Sequence, residues 1–433
     1  MAEPTGIDTN PITQAWHSIC QAGVMKLLIG AAIVLNIFQV FQFFSQRQNQ
    51  QDFAHYYVSS TLWLEGKQVY DVDLVPLYEE LGWTDFEEFI DKEANPPGLL
   101  ALFSPFTLLD PPVAHAAWML MQMLAAVVAC CLVWQCVKSE ISFDGYSLIL
   151  VIFLFLPFLK VHFYYSQVQL LLMAMVFYAY KLTLEANESE SGFRLKGIIA
   201  CLVVVVGVLI KVYPLVLLPW FVWRSDKRLI GRITTGAIAG VALGIGVWLT
   251  DIGRWKNFVD SGLSTVSDWV MISRECFSIS NALHQFGSLV TGNATSDVFV
   301  RVGSFMGIAI LAAFYLRLIF KSTDSKRSTL NIELALLILL MLFCGAICWW
   351  HYLVFLLFPF LVIASMLKDK PGILPIVGFA IVFLLLAKME FQSTNIEFME
   401  RVLNQRPLFA MMAMAVFLAF KLKSNEHLAV ADR

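Results

Sequence analysis

Charge is what this chain has least of. Of its 433 residues only 15% are charged, against 58% hydrophobic and 14% aromatic, and the mean hydropathy is +0.70. A soluble chain of this length needs far more polar surface, so the composition excludes a water-soluble globular protein and sets a polytopic membrane protein in its place. A formal net charge of -3, with no long basic block, excludes a nucleic-acid-binding surface. Paired cysteine motifs are missing too. Of eight cysteines, seven (Cys20, Cys130, Cys131, Cys136, Cys201, Cys344 and Cys348) lie in or against apolar runs, and only Cys276 lies well inside a polar loop. That pattern excludes a disulfide framework or a zinc motif and leaves small core residues.

The chemical signatures of soluble enzymes are equally scarce. There is no P-loop, no dinucleotide-binding glycine fingerprint, no HExxH pair and no Gly-x-Ser-x-Gly elbow, so nothing points to nucleotide-driven chemistry. Asp71 and Asp73 form an isolated acidic pair in an acidic loop and read as a solvated turn. Asn187 and Asn293 head glycosylation-type triplets that are too short to carry weight. No repeat of 20 to 50 residues, no low-complexity tract and no soluble insertion breaks the chain. Residues 1–433 therefore read as a single membrane-embedded domain.

What the sequence does have is apolar length. Runs wide enough to span a bilayer fall at about 24–44, 113–137, 146–159, 164–183, 197–223, 232–250, 298–320, 330–349, 351–367, 372–388 and 407–421, which makes eleven. The first has no small-residue cleavage site behind it and reads as a retained helix. Loops rich in Lys and Arg at 181–196, 224–232, 317–327 and 368–370 mark the cytoplasmic side. The first two of these bracket the single run 197–223. A chain that leaves and regains one face must cross twice, so this run is expected to be two half-length helices turning at "KVYPL", where Lys211 and Pro214 sit.

With that correction the chain reads as an all-α polytopic membrane protein of about twelve transmembrane or half-length helices, both termini cytoplasmic. Two outer loops follow, 45–112 and 251–297. In the first, "FAHYYVSSTLWLEGKQVY" carries apolar residues at helical spacing and predicts an amphipathic helix lying on the membrane surface, ending near Gly66. The "NPPGLLALFSPFTLLDPP" stretch after it is too short to span and reads as a re-entrant or interfacial segment.

This topology gathers scattered polar residues on one face: Asp52, His55 and Tyr56; Lys160, His162 and Gln167; Lys211; Arg274, Asn281 and His284; and His351. A charge at membrane depth costs on the order of 2.5 to 3.5 kcal/mol, so Lys160 and Lys211 suggest a polar cavity. Plainer readings stand beside this one. Asp52 just ahead of a helix serves as an N-cap worth about 1 kcal/mol. Either lysine reaches the interface by snorkelling. His351 follows Trp349 and Trp350, which an aromatic belt explains without a ligand.

The order of motifs resembles a known family. "D..HYY" opens the outer-face helix that ends "LEGKQVY"; "NPPGLLALFSP", "SQVQLLLMAM", "GVLIKVYPLVLLPW" and "WWHYLVFLLFPFL" follow, and together they resemble glycosyltransferase family 87 from about 24 to 367. These are membrane enzymes of the GT-C class that use polyprenyl-phosphate-linked sugars, usually mannose. The resemblance implies that Asp52 is the catalytic base and that Lys211 and His351 serve the donor phosphate. His55, Tyr56, Lys160, Gln167, Arg274, Asn281 and His284 are then candidates to line the substrate cavity. Ser166-Gln167-Val168-Gln169 replaces the family's Gly-Gln followed by Asn, and Asn281-Ala-Leu-His284 stands where Asn-Gln-Ser is familiar, so sugar and acceptor stay open.

The implied enzyme moves a hexose from a polyprenyl phosphate to an envelope glycan or glycolipid hydroxyl with inversion, without a cofactor or an obligatory metal. It works on the outer, periplasmic face of a bacterial inner membrane. Two readings of other classes compete. A transporter or flippase of lipid-linked sugars predicts inverted repeats and polar groups near the midplane, and an assembly scaffold predicts no one-sided clustering.

Overall fold

The computed structural model describes residues 51–83, 92–138, 158–188, 195–265, 276–291, 296–321, 326–345, 347–366 and 403–431. The runs expected at 24–44 and 372–388, most of 146–159, and Arg274 among the site candidates, lie outside the described residues. Among the described residues all regular secondary structure is helical. The principal helices are α1 (Gln51–Leu64), α2 (Pro97–Phe103), α3 (Pro111–Val137), α4 (Gln169–Glu188), α5 (Leu195–Ile210) and α6 (Leu218–Ser225). They continue with α7 (Leu229–Leu249), α8 (Ile279–Thr291), α9 (Ser296–Lys321), α10 (Arg327–Cys344), α11 (Leu357–Met366) and α12 (Arg406–Ala431).

Among the described residues four helices are long and apolar enough to cross a bilayer: α3, α7, Val298–Leu318 within α9, and α10. Their surroundings differ with their sequences. Every residue of α10 from Thr329 to Phe343 is buried, as befits a helix apolar on all sides, and α10 is the centre of the bundle. In α7 only Thr235 and Ala239 are buried, while Ile230, Ile233, Val241, Ile245 and Trp248 are exposed. Helix α9 likewise exposes Val298, Val302, Phe305 and Ile308. Apolar faces of this extent are covered by lipid, and the chain is a membrane protein.

The expected break in the run 197–223 is present. Helix α5 stops at Ile210, a 3-10 turn spans Tyr213–Val216 with Pro214 in its first turn, and α6 begins at Leu218. The chain then runs back alongside α5. A Cβ on Gly197, near the start of α5, would lie 2.7 Å from the carbonyl oxygen of Ser225, the last residue of α6. The two form a hairpin with Lys211 at its tip.

One expectation about residues 45–112 needs correcting. Helix α1 has no water-facing side over Phe53 through Ser60, all of which are buried. Protein covers its polar side chains: His55 meets Tyr78 and Glu93, and Tyr57 meets the 104–109 turn, whose Leu109 carbonyl accepts its hydroxyl at 2.9 Å. The proline-fenced stretch is a short helix, α2, followed by a 3-10 turn at Ser104–Leu108. Helix α2 lies against α5 so closely that a Cβ on Gly98 would sit 2.2 Å from the carbonyl oxygen of Leu209.

Further along, the break predicted between 159 and 164 falls later. Residues 158–165 are helical, and the chain turns at Ser166, which has a positive φ of 54°. Trp118 of α3 donates to the Ser166 carbonyl at 2.7 Å and so fixes that turn. Asn281 and His284, expected in a loop, lie on α8. His351 sits in a 3-10 segment, Trp350–Leu356, that leads into α11.

Candidate active site

Four of these irregular points converge: the start of α1, the stretch before α2, the Ser166 turn and the tip of the α5–α6 hairpin. Asp52 lies in the first described turn of α1. Its Oδ2 accepts a hydrogen bond of 2.5 Å from the side-chain amide of Gln167, 115 residues away. The amide oxygen of Gln167 in turn accepts from the Tyr56 hydroxyl at 2.8 Å. This relay fixes which way the Gln167 amide faces. The Ser166 turn, held by α3, aims it at α1.

One turn along α1, His55 hydrogen-bonds through Nδ1 to the Tyr78 hydroxyl at 2.8 Å, and its Nε2 lies 3.1 Å from Glu93 Oε1. That same carboxylate oxygen accepts from the backbone N–H groups of Ala94 (2.8 Å) and Asn95 (2.5 Å) and from the Asn95 side-chain amide (2.8 Å). Glu93 thereby orients Asn95, whose Oδ1 accepts a short hydrogen bond from the Lys211 ammonium. Tyr70 holds the Asn95 carbonyl from the other side at 2.7 Å. Asp52 and Lys211 are thus joined through a scaffold of neutral and acidic partners, and among the described residues they form no ion pair with each other.

Burial sets the chemistry. His55, Glu93 and Asn95 are buried, whereas Asp52 and Lys211 both keep part of their surface accessible. Asp52 is nonetheless deep: desolvation raises its pKa from the 3.8 ordinary for an aspartate to about 6, and the Gln167 hydrogen bond with the nearby His55 and Lys211 only partly offsets this. A partly accessible residue that is nonetheless far from bulk water behaves in this way. Glu93 goes the other direction. Burial acts to raise its pKa, but His55, Ser59 and the Asn95 backbone outweigh it and hold the carboxyl below its usual range. Burial, with Asp52 beside it, keeps Tyr56 protonated as a donor.

His351 approaches from the late part of the chain. Its ring lies 4.8 Å from Tyr352, 5.8 Å from Trp349 and 5.9 Å from Tyr165, and Lys211 is within electrostatic reach. Tyr352 lies close enough to Asp52 to feel its charge. Asp52, His55, Tyr56, Gln167, Lys211 and His351 are therefore neighbours. Asn281 is not in this group. Its Oδ1 accepts from Gln405 at 3.1 Å in a buried cluster with Cys276 and Ser278, which meets the site's flank through the Phe277 N–H bond to the Cys348 carbonyl at 2.7 Å and the Phe277 ring 4.8 Å from Trp350. His284 makes no hydrogen bond, ion pair or ring contact with the group among the described residues, and Lys160 lies half-buried in the 158–165 helix. Glu93 and Asn95 were missed in the sequence, although "EANPP" places both just ahead of the proline pair.

A helical bundle with apolar outward faces, holding a partly accessible carboxylate and ammonium on buried side chains, defines a membrane protein with a polar site. The family model of glycosyltransferase family 87 matches residues 94–345, more than half of the chain. The chain belongs to glycosyltransferase family 87 and is a glycosyltransferase. No curated protein and no solved structure matches it. Lys211 and Gln167 fall inside the matched range, His351 lies just beyond its end, and Asp52 lies well ahead of its start.

Proposed function

We propose that the chain moves a hexose, mannose, from a polyprenyl phosphate to a hydroxyl of an envelope glycan or glycolipid, with inversion at the anomeric carbon. The observation that carries this reading is the pair Asp52 and Lys211, the two charged groups of the network with accessible surface, held apart by Gln167 and Asn95.

Each has capacity to spare. Oδ2 of Asp52 is taken by Gln167, which leaves Oδ1 for an acceptor hydroxyl. The ammonium of Lys211 gives one N–H to Asn95 and has two left for a phosphate. In the reaction the acceptor O–H proton passes to Asp52 as the new bond forms between that oxygen and the sugar's C1. The bond from C1 to the phosphate oxygen breaks on the opposite face, and polyprenyl phosphate leaves with the electron pair. Lys211 and a hydrogen bond from His351 stabilise the charge gathering on it. One displacement with one base inverts the carbon, and no carboxylate nucleophile is needed.

A carboxyl with a pKa near 6 is suited to the base's part, because it is ionised at neutral pH yet more basic than an ordinary aspartate. On this reading residues 1–433 form one catalytic domain in a bacterial inner membrane, with the chamber on the periplasmic side, both termini in the cytoplasm and about twelve spanning or half-length helices. No cofactor takes part, and Lys160, Asn281, His284 and Arg274 belong to the wider cavity wall or its approach. The test is to incubate the purified protein with polyprenyl phosphates carrying different sugars and with envelope lipids, and to follow products by mass spectrometry. A hexose increment on an acceptor lipid, with polyprenyl phosphate released, is expected; a pentose increment, or nucleotide sugars as the only effective donors, would contradict the donor assignment.

A further inference from the structure

The groups around Asp52 and Lys211 fall into two halves of different character. On the side of His55, Glu93 and Asn95 most hydrogen-bonding capacity is spent internally: Glu93 Oε2 and the Ser59 hydroxyl are neighbours, His55 Nε2 lies 3.1 Å from Glu93 Oε1, and the nearby Ser60 hydroxyl is buried without a partner among the described residues. On the side of His351 it is largely unspent. Gln169 is fully buried, and its side-chain amide reaches the Tyr352 hydroxyl, which uses only part of its hydrogen-bonding capacity. Among the described residues, His162 is fully buried with both ring nitrogens unpartnered. The Tyr213 hydroxyl and His351 Nε2 are likewise buried without partners among the described residues.

These groups lie next to one another. The Tyr213 ring is 5.1 Å from that of Tyr352, the Tyr352 ring is 4.8 Å from His351, and His162 is within electrostatic reach of His351. The Tyr213 and Tyr352 hydroxyls in turn act on Tyr56, which marks the Asp52 end of the cavity. A buried polar atom without a partner is costly, and native proteins keep few. Several such atoms gathered beside a cation and a carboxylate are a site whose ligand supplies the missing donors and acceptors. Their chemistry specifies that ligand. Neutral amide, imidazole and phenol groups set among aromatic faces suit a ring that carries hydroxyls on its edge and C–H bonds on its faces.

We propose that Gln169, Tyr213 and His162 form the subsite for the sugar ring of the donor, walled by the rings of Tyr165, Trp349 and Tyr352 and lying beside the groups that hold its phosphate. This rests on the reading of the donor as a polyprenyl-phosphate sugar. It adds the side chains that recognise the sugar apart from the phosphate.

The two can be separated by measuring the binding of paired lipids to the full-length protein in nanodiscs: polyprenyl phosphates carrying mannose, glucose or arabinose, and bare polyprenyl monophosphate. Gln169→Met and Tyr213→Phe remove hydrogen-bonding atoms with little change of volume. Each is expected to weaken binding of the preferred sugar-bearing lipid tenfold or more while binding bare polyprenyl phosphate as the unaltered protein does, which also reports that the variant is folded. Variants that match the unaltered protein on all the lipids, or that lose both classes in equal measure, overturn the subsite. If the unaltered protein binds bare polyprenyl phosphate but gains nothing from any sugar, the subsite is overturned and the phosphate site stands. If it binds none of the lipids, the donor reading falls and the subsite with it.

Discussion

Asp52 combines two properties that rarely serve folding. Its carboxyl is raised to about 6 chiefly by burial, so the ionised form is penalised in the folded state. A folded-state pKa above the unfolded value contributes stability that is fully present below about 3.8 and is lost as pH rises through about 6. At neutral pH the ionised group therefore works against the fold. Asp52→Asn should accordingly leave thermal stability unchanged or slightly raised. For turnover the sign is opposite, since the base must be ionised: kcat/KM is expected to fall tenfold per unit as pH drops below about 6 and to level off above about 7. A pH-rate profile flat between 5 and 7 would contradict the assignment. Glu93 acts at one remove, as a positioning residue. Glu93→Gln replaces an acceptor of several N–H bonds by a group that must also donate, so Asn95 turns and Lys211 loses its fixed place. The expected signature is weaker binding of polyprenyl phosphate, by roughly tenfold for about one charge-assisted hydrogen bond lost, in a protein that still folds.

At the scale of elements, the site exists because helices stop in the right places. The half-length hairpin was legible in the sequence because two basic loops bracketed one apolar run, and "KVYPL" offered the only Pro beside a Lys there. The character of α1 was not legible. Its alternation of aromatic and polar residues fits an interfacial helix as well as one clasped by protein, and what decides is the cover given by Tyr78, Glu93 and the 104–109 turn, from distant parts of the loop. Glu93 was hidden for a related reason: among the many acids of 71–93 nothing local separates a buried carboxylate from solvated ones. The Ser166 turn was misplaced because a positive φ at a serine leaves no sequence mark. Helix α2 tests the element-scale account. Gly98 lets it approach α5, and Asn95, three residues earlier, meets Lys211 just past the end of α5. Gly98→Ala must push the helices apart against the Leu209 backbone. It should cost about 1 to 3 kcal/mol of stability, as overpacking does, and lower turnover more than Ala101→Gly, on the same helix, does.

At the scale of the whole molecule, the bundle is fastened at the end away from Lys211 by a second polar cluster. Arg224, at the end of α6, forms a buried ion pair with Glu333 of α10, and Trp220 also donates to that carboxylate at 3.0 Å. Tyr180 of α4 donates at 2.6 Å to Asn331, two residues before Glu333 on α10. The hairpin that carries Lys211 is therefore anchored by its base to the central helix. Breaking one partner of such a pair leaves a buried charge, at a cost of about 3 to 5 kcal/mol. Glu333→Ala should lower the melting temperature sharply, and joint replacement as Arg224→Met with Glu333→Leu should recover most of the loss. Recovery of stability without recovery of turnover would show that the pair also sets the position of Lys211. The membrane character and helical class follow from composition alone, and family membership from the matched 94–345. The site itself comes from contacts between residues more than a hundred positions apart, which no local pattern encodes.

The central claim is that Asp52 takes the acceptor's proton while Lys211 holds the departing phosphate. The most direct measurement is single-turnover transfer from polyprenyl-phosphate mannose by the unaltered protein and by Asp52→Asn, alongside binding of the same donor. The account predicts that Asp52→Asn binds the donor as tightly as the unaltered protein and transfers at least about a thousandfold more slowly, within the range for loss of a general base. An Asp52→Asn protein that binds the donor and transfers at the full rate would contradict it.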